Sequence, residues 1–170
     1  MAGGRKLTGK SARTPTRAGR RTQFVLLAAR FNEPITRRLV EGAMQTLARR
    51  GVPRTQIRTL WVPGTFELSV AAAWAAKALR PQAMVALGCL IKGQTPQYAA
   101  IGQAVAEGLT QVSVQSQIPV GFGVIIADSF SQAQARVGGA VGHRGREAAL
   151  AAFDMVTFKE HLQNQNHRPH

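Results

Sequence analysis

Four consecutive residues, Lys92-Gly93-Gln94-Thr95, bring together groups that bind anions. They follow an apolar run and precede a predicted helix that begins near Gln97. The N-terminus of a helix offers free backbone amides to an anion, and an ammonium group and a hydroxyl group accompany them here. Gly93 lets a ligand approach the backbone closely. The segment is therefore a candidate phosphate site, although a solvated loop would have the same composition.

Arg136 is a second candidate for phosphate binding, because a guanidinium can hold a phosphate through two parallel hydrogen bonds. It stands near the end of a predicted helix, although most arginines at such positions are simply solvated. A phosphate-loop pattern also occurs between Gly4 and Ser11. That pattern needs a strand before it and a helix after it, whereas only three residues precede Gly4 and Pro15 follows soon afterwards. We therefore reject nucleotide hydrolysis.

Two further segments directly follow predicted strands. Phe31 comes after the first strand, where an aromatic ring can stack on a planar heterocycle or pack on its own helix. The turn Pro63-Gly64-Thr65-Phe66-Glu67 comes after the second strand. Thr65 could cap the next helix, or the amides of the turn could bind a polar ligand. Position in the sequence leaves both choices open.

The remaining reactive side chains indicate neither metal nor thiol chemistry. Cys89 is the only cysteine, which excludes an internal disulfide framework and a cysteine-rich zinc site. It has no base nearby in the sequence, so we expect a buried and unreactive thiol. His143 has no partner at metal-ligand spacing. We predict no metal site.

Apolar runs alternate with helix-like segments from Thr22 onward, which indicates an α/β fold. Continuous apolar runs are typical of strands covered on both faces, and apolar residues every three or four positions indicate helices. Strands are predicted at Phe24–Ala29, Gln56–Val62, Ala83–Ile91 and Val120–Ile126. Helices are predicted from Pro34 to Gly51, at Phe66–Leu79, at Gln97–Gln115, from Ser129 to about Val137 and at Arg144–Met155.

Four strand–helix units in this order predict a parallel sheet with right-handed crossovers and helices on both faces. Ligands of such sheets bind at the carboxyl ends of the strands. The segments expected at that edge are Arg30–Glu33, Pro63–Glu67, Cys89–Gln97 and Ala127–Ser129.

Length and charge fit one domain with a basic extension. The chain has 170 residues, 45% of them hydrophobic, and a formal net charge of +14. Residues 1–21 hold seven of the Lys and Arg residues and no acid. We expect residues 1–21 to be a disordered basic tail, residues 22–158 to form the domain, and residues 159–170 to be a frayed polar tail.

The basic tail could be a solubilising arm, a nonspecific contact to nucleic acid or a targeting peptide. No apolar run reaches the roughly 18 residues of a membrane span, and no apolar stretch follows the basic start as in a secretion signal. We expect a cytoplasmic protein that does not enter a membrane.

Eight short motifs follow one another between Phe24 and Phe158. They are ARFNE at 29–33, EGA at 41–43, VPGTFE at 62–67, ALG at 86–88, IKGQT at 91–95, GLTQVS at 108–113, PVGFGV at 119–124 and GHRGREAA at 142–149. In this order and spacing they resemble the 6,7-dimethyl-8-ribityllumazine synthase family of riboflavin biosynthesis. The resemblance implies a flavodoxin-like, three-layer α/β/α sandwich with a four-stranded parallel sheet.

The resemblance also implies a reaction. The family joins 5-amino-6-(D-ribitylamino)uracil to 3,4-dihydroxy-2-butanone 4-phosphate without cofactor or metal. The amine attacks the ketone to give an imine, phosphate leaves, and ring closure and loss of water follow.

The same resemblance assigns expected roles to individual residues. Phe31 would stack on the pyrimidine, and Thr65, Phe66 and Glu67 would bind the ribityl chain and its surroundings. The heterocycle would be lined by Cys89, Leu90 and Ile91, and the phosphate would be met by Lys92, Gln94, Thr95 and Arg136. The positions of Phe122 and Arg136 are supplied by the neighbouring subunit in this family, so the site would lie between subunits.

One departure from the family falls at its proton-transfer residue. The family has histidine and then an aromatic and an acidic residue, whereas this chain has Gln97, Tyr98 and Ala99. Glutamine can form hydrogen bonds but cannot titrate near neutral pH. The resemblance therefore implies either a slowed synthase or a paralogue that binds a flavin-like or pterin-like ligand, or forms a shell, without efficient turnover.

The family forms pentamers, and some members assemble twelve pentamers into an icosahedral shell. The stretch Arg136–Gly145 is compact in this chain. We therefore expect at least a homopentamer, with a 60-subunit shell favoured.

Overall fold

Four parallel strands form the central sheet in the computed structural model, which describes residues 23–165. The strands are β1 (Phe24–Ala29), β2 (Ile57–Val62), β3 (Ala83–Ile91) and β4 (Val120–Ala127). Their order in the sheet is β2-β1-β3-β4, and all three pairings are parallel. The predicted four-stranded parallel sheet is confirmed. The basic tail predicted at residues 1–21 lies outside the described residues.

Helices follow the strands as the alternating pattern predicted. They are α1 (Glu33–Arg49), α2 (Leu68–Leu79), α3 (Gln97–Ser116), α4 (Phe130–Ala135) and α5 (Arg144–Gln165). None of these described helices is long and apolar enough to cross a membrane.

Two apolar layers cover the sheet, one on each face. β1 is buried along its whole length. Its residues Phe24 and Leu26 pack with α1 and α5, whereas Val25 and Leu27 pack with α2 and α3. The alternation follows from the two-residue repeat of a strand, and it confirms the three-layer α/β/α arrangement.

Small residues let α5 approach its neighbours closely. The buried face of this helix consists of Gly145, Ala148, Ala149 and Ala152. A Cβ atom on Gly145 would lie 2.8 Å from the Cα of Leu39 in α1. A Cβ atom on Gly121 of β4 would meet the backbone carbonyl of Ala148. Both contacts place backbone against backbone, so α5 has little room to move.

A short hairpin stands where the sequence predicted the end of a helix and a break. Ser129 caps α4, as expected, and its hydroxyl oxygen accepts a hydrogen bond from the backbone amide of Gln132 at 3.2 Å. The helix ends before Val137, and the strands β5 (Val137–Gly139) and β6 (Gly142–His143) pair antiparallel. Gly138 and Gly142 have φ values of 101° and 92°, which glycine adopts without steric cost.

The last helix is longer than predicted. The sequence indicated a helix ending near Met155 and a frayed tail over residues 159–170, but α5 continues to Gln165. The Nζ of Lys159 donates a hydrogen bond to the backbone carbonyl of Gln117 at 2.7 Å. This tertiary contact holds a segment whose side chains alone show little helical pattern.

Candidate active site

A cleft of about 490 Å³ opens at the carboxyl ends of β1, β2 and β3, beside the start of α3. This is the edge at which parallel sheets bind ligands. Eight of the residues predicted from the sequence line it, namely Phe31, Thr65, Phe66, Glu67, Leu90, Ile91, Thr95 and Gln97. The structure therefore brings together side chains that are up to 66 positions apart in the chain.

Hydrogen bonds fix the backbone around Phe31 at the rim of the cleft. The amide of Phe31 donates to the carbonyl of Pro63 at 3.1 Å. Asn32 follows with a φ of 58°, and its Nδ2 donates to the backbone carbonyl of Cys89 at 2.8 Å. The side chain of Phe31 is 67% exposed. A planar ligand could stack on this ring.

The turn at residues 63–67 places its side chains differently from the capping arrangement that the sequence allowed. Phe66 adds a second aromatic ring to the cleft and is 60% exposed. Thr65 is buried against Gly88, where a Cβ atom would come within 2.8 Å of the threonine hydroxyl oxygen. The backbone carbonyl of Thr65 accepts a hydrogen bond from the amide of Leu68 at 3.2 Å. The Thr65 hydroxyl has no hydrogen-bond partner among the described residues and no side chain caps α2, so Thr65 is not the side-chain cap of this helix.

The start of α3 supplies the polar end of the cleft. Thr95 and Gln97 line it, and among residues 23–165 no side chain caps this helix. The first backbone amides are thus left to solvent or to a ligand. Lys92 and Gln94 are exposed on the same loop but do not line the cleft. The amide of Lys92 donates to the carbonyl of Ala127 at 2.9 Å and so fixes where the loop begins.

Five lining residues were absent from the predicted site: Pro63, Gly64, Gly93, Tyr98 and Ile101. The first three lie in turns that the sequence had already placed at this edge. Tyr98 and Ile101 are one helical turn apart, so they share a face of α3. That spacing could have identified them once the start of α3 was placed at the cleft.

Tyr98 makes a side-chain contact across the edge of the sheet. Its hydroxyl donates a hydrogen bond to Oδ1 of Asp128 at 3.1 Å. Asp128 directly follows β4, so the contact joins the start of α3 to the end of that strand. The hydrogen bond to Asp128, with desolvation and the charge of the carboxylate, raises the pKa of Tyr98 above its ordinary value of 10.

Cys89 does not line the cleft with its side chain, although the resemblance implied that it would. Its side chain is fully buried in the core between the sheet and α1. Burial raises the pKa of the thiol to about 11, so the thiolate is scarce at neutral pH. What Cys89 contributes at this edge is its backbone carbonyl, which accepts the hydrogen bond from Asn32.

Phe122 and Arg136 also lie apart from the cleft in the single chain. Arg136 ends α4 and lines a separate cavity of about 250 Å³, together with Gln132 and Arg144. Phe122 lies on β4 in a groove facing α5. These were the two residues expected to act from a neighbouring subunit.

Among residues 23–165, no group of three or more His, Cys, Asp or Glu side chains is placed to hold a metal ion. His143 instead occupies a structural position. Its ring fills the space beside Gly42 of α1, and its Nδ1 accepts a hydrogen bond from the backbone amide of Arg146 at 3.4 Å. Burial, together with the charges of Arg146 and Arg38, lowers the pKa of this histidine.

Comparison with known proteins identifies the family of the chain. Residues 21–160 match the family model described as 6,7-dimethyl-8-ribityllumazine synthase. The chain belongs to the lumazine synthase family. The match includes every strand of the sheet, the whole cleft and the cavity that contains Arg136.

Individual relatives in the family support the assignment. A chloroplastic lumazine synthase of Arabidopsis thaliana is 37% identical over 143 residues, which are 84% of this chain and 63% of that protein. A lumazine synthase of Halorhodospira halophila is 40% identical over 83% of this chain and 90% of its own length. One of Pediococcus pentosaceus is 32% identical over 86% and 94%. The chain therefore spans less than two thirds of the chloroplastic relative and most of the other two.

Proposed function

We propose that the protein condenses 5-amino-6-(D-ribitylamino)uracil with 3,4-dihydroxy-2-butanone 4-phosphate to form 6,7-dimethyl-8-ribityllumazine, a transferase step of riboflavin biosynthesis. The observation that carries the proposal is the cleft, which combines two exposed aromatic rings with polar groups and the open start of a helix. The relatives named as lumazine synthases cover most of this chain.

Each part of the cleft suits one part of these substrates. The pyrimidine stacks on Phe31, with Leu90 and Ile91 forming apolar walls. The ribityl chain meets the turn that contains Glu67, whose side chain is half-buried. The phosphate meets Thr95 and the first amides of α3. The proposed reaction uses no cofactor and no metal.

Gln97 determines how fast this reaction can be. Its amide can orient a substrate but cannot exchange a proton near neutral pH. General acid–base catalysis typically contributes a factor of about 10²–10⁴, while holding two reactants in place can contribute more. We propose a slowed synthase in which orientation supplies most of the acceleration.

Assembly completes the site in this proposal. Arg136 and Phe122 lie outside the cleft of their own chain, which supports their delivery to the cleft of a neighbouring subunit. We propose a homopentamer or a 60-subunit shell, with Arg136 holding the phosphate across the interface. Mass photometry should then show particles of at least five times the subunit mass of 18.2 kDa. A monomer or dimer at micromolar concentration would contradict the shared site.

Two further proposals concern where the protein acts and what its N-terminal segment does. We place the protein in the cytoplasm, because its single cysteine calls for no oxidising compartment. The seven basic residues of segment 1–21 would at most add nonspecific contact with nucleic acid.

The decisive experiment mixes the purified full chain with both substrates and follows product by chromatography. A mixture without protein gives the spontaneous rate. Product that forms faster than this background, and in proportion to protein concentration, supports the proposal.

A second candidate function is favoured by the same glutamine. Binding of a flavin-like or pterin-like ligand without turnover requires the cleft but no titrating side chain. Calorimetry with the lumazine product and with riboflavin tests it. Tight binding of either ligand together with a rate equal to the background would replace the synthase proposal with this one.

A further inference from the structure

Tyr98 and Asp128 form the only hydrogen-bonded pair of titratable side chains recorded at the cleft within the described residues. Tyr98 lines the cleft beside Gln97 and is half-buried. Asp128 lies at the end of β4, and its Oδ1 accepts a hydrogen bond from the Tyr98 hydroxyl, with 3.1 Å between the two oxygen atoms. The pair therefore joins a side chain that lines the cleft to a carboxylate that is exposed to solvent.

The chemistry of this pair differs from that of its neighbour. A phenol can give up one proton while it accepts another, and a carboxylate can hold a proton temporarily. The primary amide of Gln97 can do neither near neutral pH. The phenol is protonated at neutral pH, and the contact with Asp128 raises the pKa of Tyr98 further above that range.

We propose that Tyr98 transfers protons in the imine-forming step and that Asp128 is its positioning residue. This inference rests on the proposed synthase function and names the residue that moves the proton in place of a histidine at position 97. Neither of the two described histidines, His143 and His161, lines the cleft, so no histidine in the described part of the chain competes with Tyr98 for this role.

The transfer balances without any further reactant. Imine formation joins the amine nitrogen to the ketone carbon and releases the ketone oxygen as water, so two amine protons must reach that oxygen. Each passes to the phenol oxygen of Tyr98 while the phenol proton passes to the carboxylate of Asp128. The carboxylate of Asp128 then returns its proton to the phenol oxygen while the phenol proton passes to the ketone oxygen, and two such rounds release that oxygen as water. The pair ends in its starting state.

A structural role is the competing explanation, since the same hydrogen bond fastens α3 to the end of β4. The two explanations predict different kinetics. A fastening contact would affect substrate binding and thermal stability, whereas a proton carrier affects the turnover number. Removing the hydroxyl with Tyr98→Phe keeps the ring that lines the cleft.

The first test measures kcat and KM of the full chain carrying Tyr98→Phe or Asp128→Asn. We expect kcat to fall about 10- to 100-fold in Tyr98→Phe, within the range of general acid–base catalysis, while KM for both substrates changes less than about twofold. Asp128→Asn should lower kcat by a smaller factor, because the phenol remains. Asp154→Asn is the matched control, since Asp154 is the only other aspartate and is exposed on α5.

The second test asks whether another proton carrier restores the rate. Gln97→His in the Tyr98→Phe background should recover most of the lost kcat and add an ionisation near the ordinary histidine pKa of about 6.5. The factor by which Gln97→His raises kcat should be larger in this background than in the natural chain, because here the imidazole replaces a lost proton carrier. A contact that only fastens two elements would give the same factor in both backgrounds.

The third test uses the fact that Tyr98 is the only tyrosine in the chain. Ultraviolet titration of the phenolate therefore reports this residue alone. We expect Tyr98 to ionise above pH 10 in the natural protein and at lower pH in Asp128→Asn. Identical titration curves would show that the pair does not form in solution and would overturn the inference.

The outcomes separate the inference from the function on which it rests. An active natural protein whose kcat is unchanged by Tyr98→Phe overturns the inference and leaves the synthase proposal standing. A natural protein that produces nothing above background overturns both. A fall in kcat together with an equal rise in KM, and an equal gain from Gln97→His with Tyr98 present or replaced, assigns the pair a structural role only.

Discussion

Gly145→Ala should destabilise the fold, because α5 meets α1 at this residue through backbone atoms. A Cβ atom at Gly145 would lie 2.8 Å from the Cα of Leu39 and 2.9 Å from its carbonyl carbon. Touching carbon atoms normally lie about 3.5–4.0 Å apart, so the two helices would have to separate by about 0.7 Å. Backbone atoms cannot rotate away as a side chain can.

The size of the effect follows from two opposing terms. Overpacking of a close contact typically costs about 1–3 kcal/mol, and the upper end applies because only backbone faces the new methyl group. Alanine in place of glycine within a helix returns up to about 1 kcal/mol. The net loss in the free energy of unfolding is about 2 kcal/mol. For a chain of this length, that corresponds to a fall of about 4–8 °C in Tm.

Thermal unfolding followed by circular dichroism measures this shift. All variants should be compared at one protein concentration, because the Tm of an oligomer depends on it. Gly93→Ala is the matched control, since nothing lies within 4 Å of a Cβ atom there, and its Tm should be unchanged or slightly higher. A Tm for Gly145→Ala equal to that of the natural protein would refute the close backbone contact.

Four further variants test other parts of the structure. Arg136→Ala should raise KM for the butanone phosphate, since a charge-assisted contact contributes about 1.5–3 kcal/mol, while KM for the pyrimidine changes little. Phe31→Ala should show the reverse. Steady-state kinetics with each substrate varied separately measures both effects, and equal losses for the two substrates would contradict the assignment. The pKa of His143 is lowered in the folded state, so the unfolded chain binds a proton more readily and the free energy of unfolding should decrease as pH falls below about 6.5. Urea midpoints at pH 7 and pH 5 should show a smaller loss for His143→Asn, and an equal loss would mean that His143 is not responsible. Deletion of residues 1–20 should leave the Tm unchanged and remove salt-sensitive binding to polyanions, as measured by heparin retention; a truncated chain that is insoluble would show that this segment is structural.

Elements with a strong apolar pattern were predictable from sequence almost to the residue. β1 was predicted at Phe24–Ala29 and occupies those residues, because a continuous apolar run with polar Gln23 before it and Arg30 after it marks where burial begins and ends. The end of α5 was not predictable. Residues beyond Met155 are mostly polar. In the helix they form, Lys159 donates a hydrogen bond to the carbonyl of Gln117, which lies 42 positions earlier in the chain.

The candidate site was predictable as an edge of the sheet but only partly as a set of side chains. The rule that parallel sheets bind ligands at their carboxyl ends placed Phe31, Thr65 and Gln97 together. The hydrogen bond between Tyr98 and Asp128 was out of reach, because it depends on how α3 tilts against β4. The burial of Cys89 follows from the two-residue alternation of β3, which turns its side chain toward α1.

Because Cys89 is fully buried, the chain carries a single thiol that reacts very slowly with reagents in solution. Alkylating reagents attack the thiolate, and with a pKa of about 11 and no exposed side-chain surface this thiol offers almost none. Modification therefore requires the helical layer of α1 and α5 to separate from the sheet, so the labelling rate measures how often this side of the core opens. Since this is the sole cysteine of the chain, a single mass increment would record each such event without any engineered probe.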